Sequence, residues 1–81
     1  MTVDDRVIEL IAQLSSVKKA EIKPGDRLRD DLGMDSVSSM ELLSLLAEEL
    51  KLDIPVEEAM EITTVQGALE MARRHAAAEA R

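Results

Sequence analysis

No aromatic residue and no cysteine occurs in this chain, so any core it forms must close around aliphatic side chains alone. Ile, Leu, Val and Met together number 27, with ten Ala, in 81 residues. That inventory suits one small domain. If about half of the large apolar side chains are fully buried at roughly 1.5–3 kcal/mol each, the gross gain is on the order of tens of kcal/mol. Chain entropy consumes most of it, and the expected net stability is small. The same absences remove whole classes of function. Without cysteine there is no disulfide, no thiolate zinc site and no cysteine nucleophile. Without aromatic rings there is no platform for stacked nucleic-acid bases.

The apolar residues recur at helical spacing. Val3, Val7, Leu10, Ile11, Leu14 and Val17 predict a first helix, capped by Thr2, with Asp4 and Asp5 in its first turn and an end near Ser15 to Lys19. Lys18 and Lys19 suit that C-terminal end. Residues 20–35 show no periodicity; Pro24-Gly25 marks a turn, and Leu28 and Leu32 are the anchors expected to pin the segment. A second helix is predicted from Ser36 to Leu50. Ser39, Leu42, Leu43, Leu46 and Leu50 form its core stripe, and Val37, Met40, Glu41, Ser44, Ala47 and Glu48 its outer face. Ser38-x-x-Glu41 also fits a capping box, which would start this helix two residues later. Leu52, Ile54 and Pro55 read as an extended connection, and Val56 to Met60 as a short helical turn. Thr63-Thr64-Val65-Gln66 fits a capping box with Thr63 as cap. The last helix then turns Val65, Ala68, Leu69, Ala72 and Ala76 inward, and residues 76–81 are expected to fray. The methionines are expected to fill core gaps, Met40 excepted. The fold class is all-α: three main helices plus one short helix, a small four-helix bundle.

Charge is uneven along the chain. From Asp26 to Glu61 there are eleven acids and three bases, net −8; the rest of the chain is net +1 and the whole is −7. Such a chain is not expected to bind nucleic acid and is suited to basic protein partners. No apolar run approaches membrane-spanning length and no signal-peptide pattern opens the chain, so no membrane association and a cytoplasmic location are expected. Met1 and the lack of a linker favour a freestanding protein.

Ser36 stands within the acidic segment, where a glycine-containing turn feeds the second helix. Taken alone it is an ordinary N-cap residue. A helix start also presents unpaired N–H groups and positive dipole, which favours a phosphate on that hydroxyl. Asp30, Asp31, Asp35 and Glu41 do not form a calcium loop. With Glu41 in the last loop position, Leu32 and Met34 fall where oxygen ligands are required and Asp35 where the turn needs Gly. No metal is expected. His75, the sole histidine, has no thiol to pair with, and no nucleophile-elbow pattern surrounds Ser36. His75 is expected to be solvated near a helix C-terminus.

Three blocks resemble the acyl carrier protein family across nearly the whole chain. Asp31-Leu32-Gly33-Met34-Asp35-Ser36 resembles the approach to the family's modified serine. Glu41-Leu42 and Glu48-Glu49-Leu50 resemble its recognition helix. Ile54-Pro55-x-Glu57-Glu58-Ala59 with Ile62-Thr63-Thr64-Val65-Gln66 resembles the third helix and the start of the fourth. The resemblance implies a single acyl carrier domain over 1–81 that is a carrier and not an enzyme. It implies 4'-phosphopantetheine on Ser36, attached from coenzyme A by a phosphopantetheinyl transferase, with acyl groups held as thioesters. Acyl-loading, condensing and tailoring enzymes of fatty acid, polyketide or related biosynthesis would present basic patches to Asp35, Glu41 and Glu48, with apolar contacts at Val37 and Met40. Leu46, Ala59, Ile62, Val65 and Ala68 would line an acyl pocket, and the protein would be a monomer. Val37, Ser38 and Ser44 stand where the family often has Leu, an acid and Met, which points to a specialised partner set. A peptidyl carrier protein and an unmodified acidic interaction module are the alternative readings.

Overall fold

A computed structural model of the chain describes residues 2–79, and the side chains of residues 2–76. Among the described residues there are four α-helices: α1 (Val3–Ser15), α2 (Ser36–Glu49), α3 (Val56–Met60) and α4 (Val65–Glu79). A 3-10 turn at Lys19–Glu21 follows α1. Helix α1 packs against α4 and α2, and α2 also meets α3. Val7, Leu10, Ile11, Leu46, Val65 and Ala72 lie at the dry centre, and the core holds only aliphatic side chains.

Helix α1 starts at a full capping box. The Asp5 N–H donates to Thr2 Oγ1 at 3.1 Å, and the Thr2 N–H donates to the Asp5 carboxylate. It stops at Ser16, whose φ of 64° is left-handed and whose N–H donates to the Ala12 carbonyl. No base lies in its last turn. Lys18 and Lys19 fall beyond the reversal at Ser16, and Lys19 opens the 3-10 turn, so the expected cationic C-terminal end does not form.

The aperiodic segment is ordered by long-range backbone pairing. The Leu28 N–H donates to the Thr63 carbonyl at 2.9 Å. In return the Val65 and Gln66 N–H groups donate to the Asp26 and Pro24 carbonyls at 2.9 and 2.8 Å. The Gly67 N–H donates to Thr64 Oγ1 at 3.0 Å, and the Ala68 N–H to the Thr64 carbonyl. All four amides at the start of α4 therefore have acceptors. The cap is Thr64 and not Thr63, because the Thr63 carbonyl is taken by the bridge to Leu28. Gln66 does not reach back; its side chain turns to Glu70. Helix α4 continues through residues 76–79, and the rest of the tail expected to fray lies outside the described residues.

Ion pairs tie α1 to its neighbours. Arg73 Nε and Nη2 donate to the two carboxylate oxygens of Asp4 at 2.8 and 2.6 Å, and Arg6 pairs with Glu9 and with Glu49. Helix α3 is attached differently. Glu58 accepts from Arg74 at 2.8 Å and lies 2.9 Å from His75 Nε2. His75 is thus a half-buried partner of α3 rather than a solvated residue, because the Glu58 carboxylate of α3 lies against its ring. Met34 and Met71 fill the core, whereas Met60 is 59% exposed. A helix as short as α3 turns only one side inward, and Ala59 occupies it.

Candidate functional site

Gly33, with φ +71°, lets the chain reverse where a side chain would be strained. The Met34 N–H then donates to the Leu28 carbonyl at 2.8 Å, which closes the loop and buries Met34 with Leu28 and Leu32. This anchoring throws Asp35 outward in an extended conformation as the N-cap of α2. Its carboxylate accepts from the Ser38 N–H at 2.9 Å, and its carbonyl accepts from Ser39. The capping position belongs to Asp35, so Ser36 is the first helical residue and not the cap. The Ser38–Glu41 box does not form, because the Ser38 N–H is already taken. The Ser38 amide, then its hydroxyl, hold the Asp35 carboxyl below the ordinary aspartate range, so it is ionised at neutral pH.

Ser36 is exposed and stands on the rim of a cleft of about 300 Å³. Arg27, Arg29, Asp30 and Asp35 supply its polar wall; Met34, Ala59, Met60 and Ile62 supply its apolar wall. A smaller cavity of about 20 Å³ lies deeper, and Leu28, Ser39, Ala59 and Ile62 border both spaces.

Leu46, Ala59, Ile62 and Ala68 meet on the wall of the deeper cavity. Val65 is not on that wall. As the first residue of α4 it is tied through its amide to Asp26, and its side chain is fully buried elsewhere in the core. Met71 takes that place, one turn beyond Ala68 and so readable from helical spacing. On the outside of α2, Asp35, Val37, Met40, Glu41 and Glu48 are all exposed, Val37 at 65% and Met40 at 43%. Val56 and Met60 of α3 are exposed too, and sequence reasoning missed them. Their four-residue spacing beside Glu57 and Glu58 was the available signal.

The family model for the phosphopantetheine attachment site matches residues 5–72. Among solved structures, the chain is similar to the apo doublet acyl carrier protein from prodigiosin biosynthesis, with 26% identity and a TM-score of 0.74 over 89% of this chain. The chain spans 35% of the length of that doublet. Among the described residues no helix is long and apolar enough to cross a membrane. The all-helical fold and a match over most of the chain agree: the protein belongs to the phosphopantetheine attachment-site family as an acyl carrier protein, a non-catalytic carrier whose prosthetic group is covalent 4'-phosphopantetheine.

Proposed function

We propose that Ser36 is the hydroxyl that receives the arm, and that residues 1–81 act as one cytoplasmic, monomeric domain carrying acyl thioesters between partner enzymes. One observation carries this reading: Ser36 is an exposed hydroxyl in the first turn of α2, on the rim of a cleft of about 300 Å³. The residues there fit the group. The start of α2 turns the positive end of its dipole toward a phosphodiester on that oxygen. The cleft's polar wall suits the root of the arm, and its apolar wall suits hydrocarbon. Once bound, the group supplies the thiol that this cysteine-free chain lacks.

The chain's own work is placement. Asp35 fixes the start of α2, and Glu41 and Glu48 with Val37 and Met40 form a docking face for a phosphopantetheinyl transferase and for acyl-handling enzymes with basic patches. Val37, Ser38 and Ser44, together with a structural neighbour from prodigiosin biosynthesis, support a dedicated pathway of polyketide or related type over housekeeping fatty acid synthesis.

The test is intact mass before and after incubation with coenzyme A, magnesium and a broad-specificity transferase, with Ser36→Ala alongside. The parent gains one phosphopantetheine group and the variant gains none. Gain by Ser36→Ala, or none by the parent with several transferases, overturns the assignment. Glu41→Lys and Glu48→Lys should slow loading and flatten its salt dependence. Unchanged rates in both at low salt would remove the docking face.

A further inference from the structure

The cleft beside Ser36 holds an unused cation. Of its two arginines, Arg27 faces Asp30 and Asp31, each at 3.5 Å. Arg29 makes no ion pair and no side-chain hydrogen bond among the described residues, although it is exposed in the most acidic part of the chain. Its backbone is held: the Arg29 carbonyl accepts from the Gly33 N–H at 3.1 Å, within the same turn that presents Ser36. An exposed guanidinium without an ion pair among the described residues, on a hydrogen-bonded backbone beside a cleft that Ser36 also borders, is an available counter-charge.

We infer that Arg29 is the anion subsite for the phosphodiester that joins the arm to Ser36, and that it turns the root of the arm into the cleft; this rests on the assignment of Ser36. The tether makes the case. A phosphodiester on Ser36 Oγ cannot leave the rim, so Arg29 needs only the reach of its own side chain. The added anion enters a segment that is already net −8, with Asp30 and Asp35 on the same rim. Asp35 is spent on the Ser38 amide and Arg27 faces Asp30 and Asp31, which leaves Arg29 to offset the new charge. A planar guanidinium can donate two parallel bonds to phosphate oxygens, which an ammonium cannot. Held that way, the first atoms of the arm lie toward Met60 and Ile62 instead of solvent. An acyl carboxylate would offer similar chemistry, so the test uses the arm with a free thiol, where the phosphodiester is the one anion added.

Wild type, Arg29→Gln and Arg29→Lys are loaded with coenzyme A and checked by intact mass. Unchanged mass of the wild type is failure of the Ser36 assignment and is seen before any spectrum. On loaded wild type, the Arg29 Nε–Hε resonance should move relative to the unloaded protein while that of Arg27 stays. The phosphorus resonance should shift in Arg29→Gln and return part way in Arg29→Lys. A spin label on the arm thiol should broaden the Met60 and Ile62 amides about twofold to fivefold less in Arg29→Gln, the range of a partly exposed ion pair. An Arg29 resonance unmoved by loading of the wild type overturns the inference, even if Arg29→Gln cannot be loaded. So does an unchanged phosphorus resonance in loaded Arg29→Gln.

Discussion

Helices α1 and α3 are held to the bundle by opposite means. Helix α1 has a capping box, three side chains with no exposed surface, and ion pairs to both α2 and α4. Helix α3 has five residues, no side-chain cap and no buried residue; Val56 and Met60 stand in solvent at 46% and 59% exposure. Yet α3, with the segment after it, forms much of the apolar wall of the cleft beside Ser36. Buried side chains and caps are concentrated in α1, the base of the bundle, and absent from α3. Local opening costs least where few apolar contacts are lost. Local opening of the α3 side is therefore expected to cost less than opening of α1.

The hardest way to break this contrast is to hollow out the base. Leu10→Ala should cost about 2–5 kcal/mol, because the site is fully buried and leaves a cavity. A domain of this size has only about 5–10 kcal/mol in reserve, so the urea midpoint should fall steeply. Met60→Ala should stay within about 0.5 kcal/mol. Equal losses in the two variants would refute the division into a base and a soft face.

Acid should act on the caps next. Asp5, Asp31 and Asp35 are held below the ordinary aspartate range chiefly by backbone amides, and Asp4 chiefly by Arg73. A carboxyl depressed in the folded state adds stability that is complete above its unfolded value, about 3.9 for Asp, and is lost as pH falls through the folded value. At net −7, mild acidification first relieves repulsion. Tm should therefore rise slightly from pH 7 to about 5 and fall below about 4. Asp5→Asn with Asp35→Asn should flatten the acid limb.

Thr64→Ala should cost about 1 kcal/mol by stranding the Gly67 amide, measured by the same urea titration. Thr63→Ala should cost less, since only the Thr63 backbone is engaged. That pair also shows where sequence reading reaches its limit. The helices and the start of α2 were legible, because caps and periodic apolar residues are local signals. The two threonines are equivalent in any local pattern, and a hydrogen bond to Leu28, 35 positions away in the chain, decides between them. Lys18 and Lys19 were misplaced because a non-glycine residue, Ser16, takes the left-handed turn. The exposed outer face of α2 follows one helix phase and was readable, whereas the cavity wall is assembled from α2, α3, α4 and the loops between them. The partnership of His75 with Glu58 and the place of Arg29 in the cleft depend on contacts between elements, which spacing along the chain does not encode.

The smallest global effect should be the most informative about α3. Glu58 is the side chain that fastens this helix to α4, through Arg74 and then His75, which together lower its carboxyl below the usual range. Glu58→Gln keeps the shape and removes the charge. Because α3 buries no residue of its own, the urea midpoint should not move measurably. Hydrogen exchange should tell the two helices apart. The amides of Ala59, Glu61 and Ile62, bonded to Pro55, Glu58 and Ala59, should exchange faster, while those of Val7, Leu10 and Ile11 should keep their protection. Arg74→Gln should produce part of the same change, since His75 remains to hold Glu58. Faster exchange in α1 as well would mean that α3 is coupled to the base, and that the cleft cannot open without loosening the whole bundle. Faster exchange confined to α3 would identify Glu58 as the latch that sets how readily the wall beside Ser36 gives way.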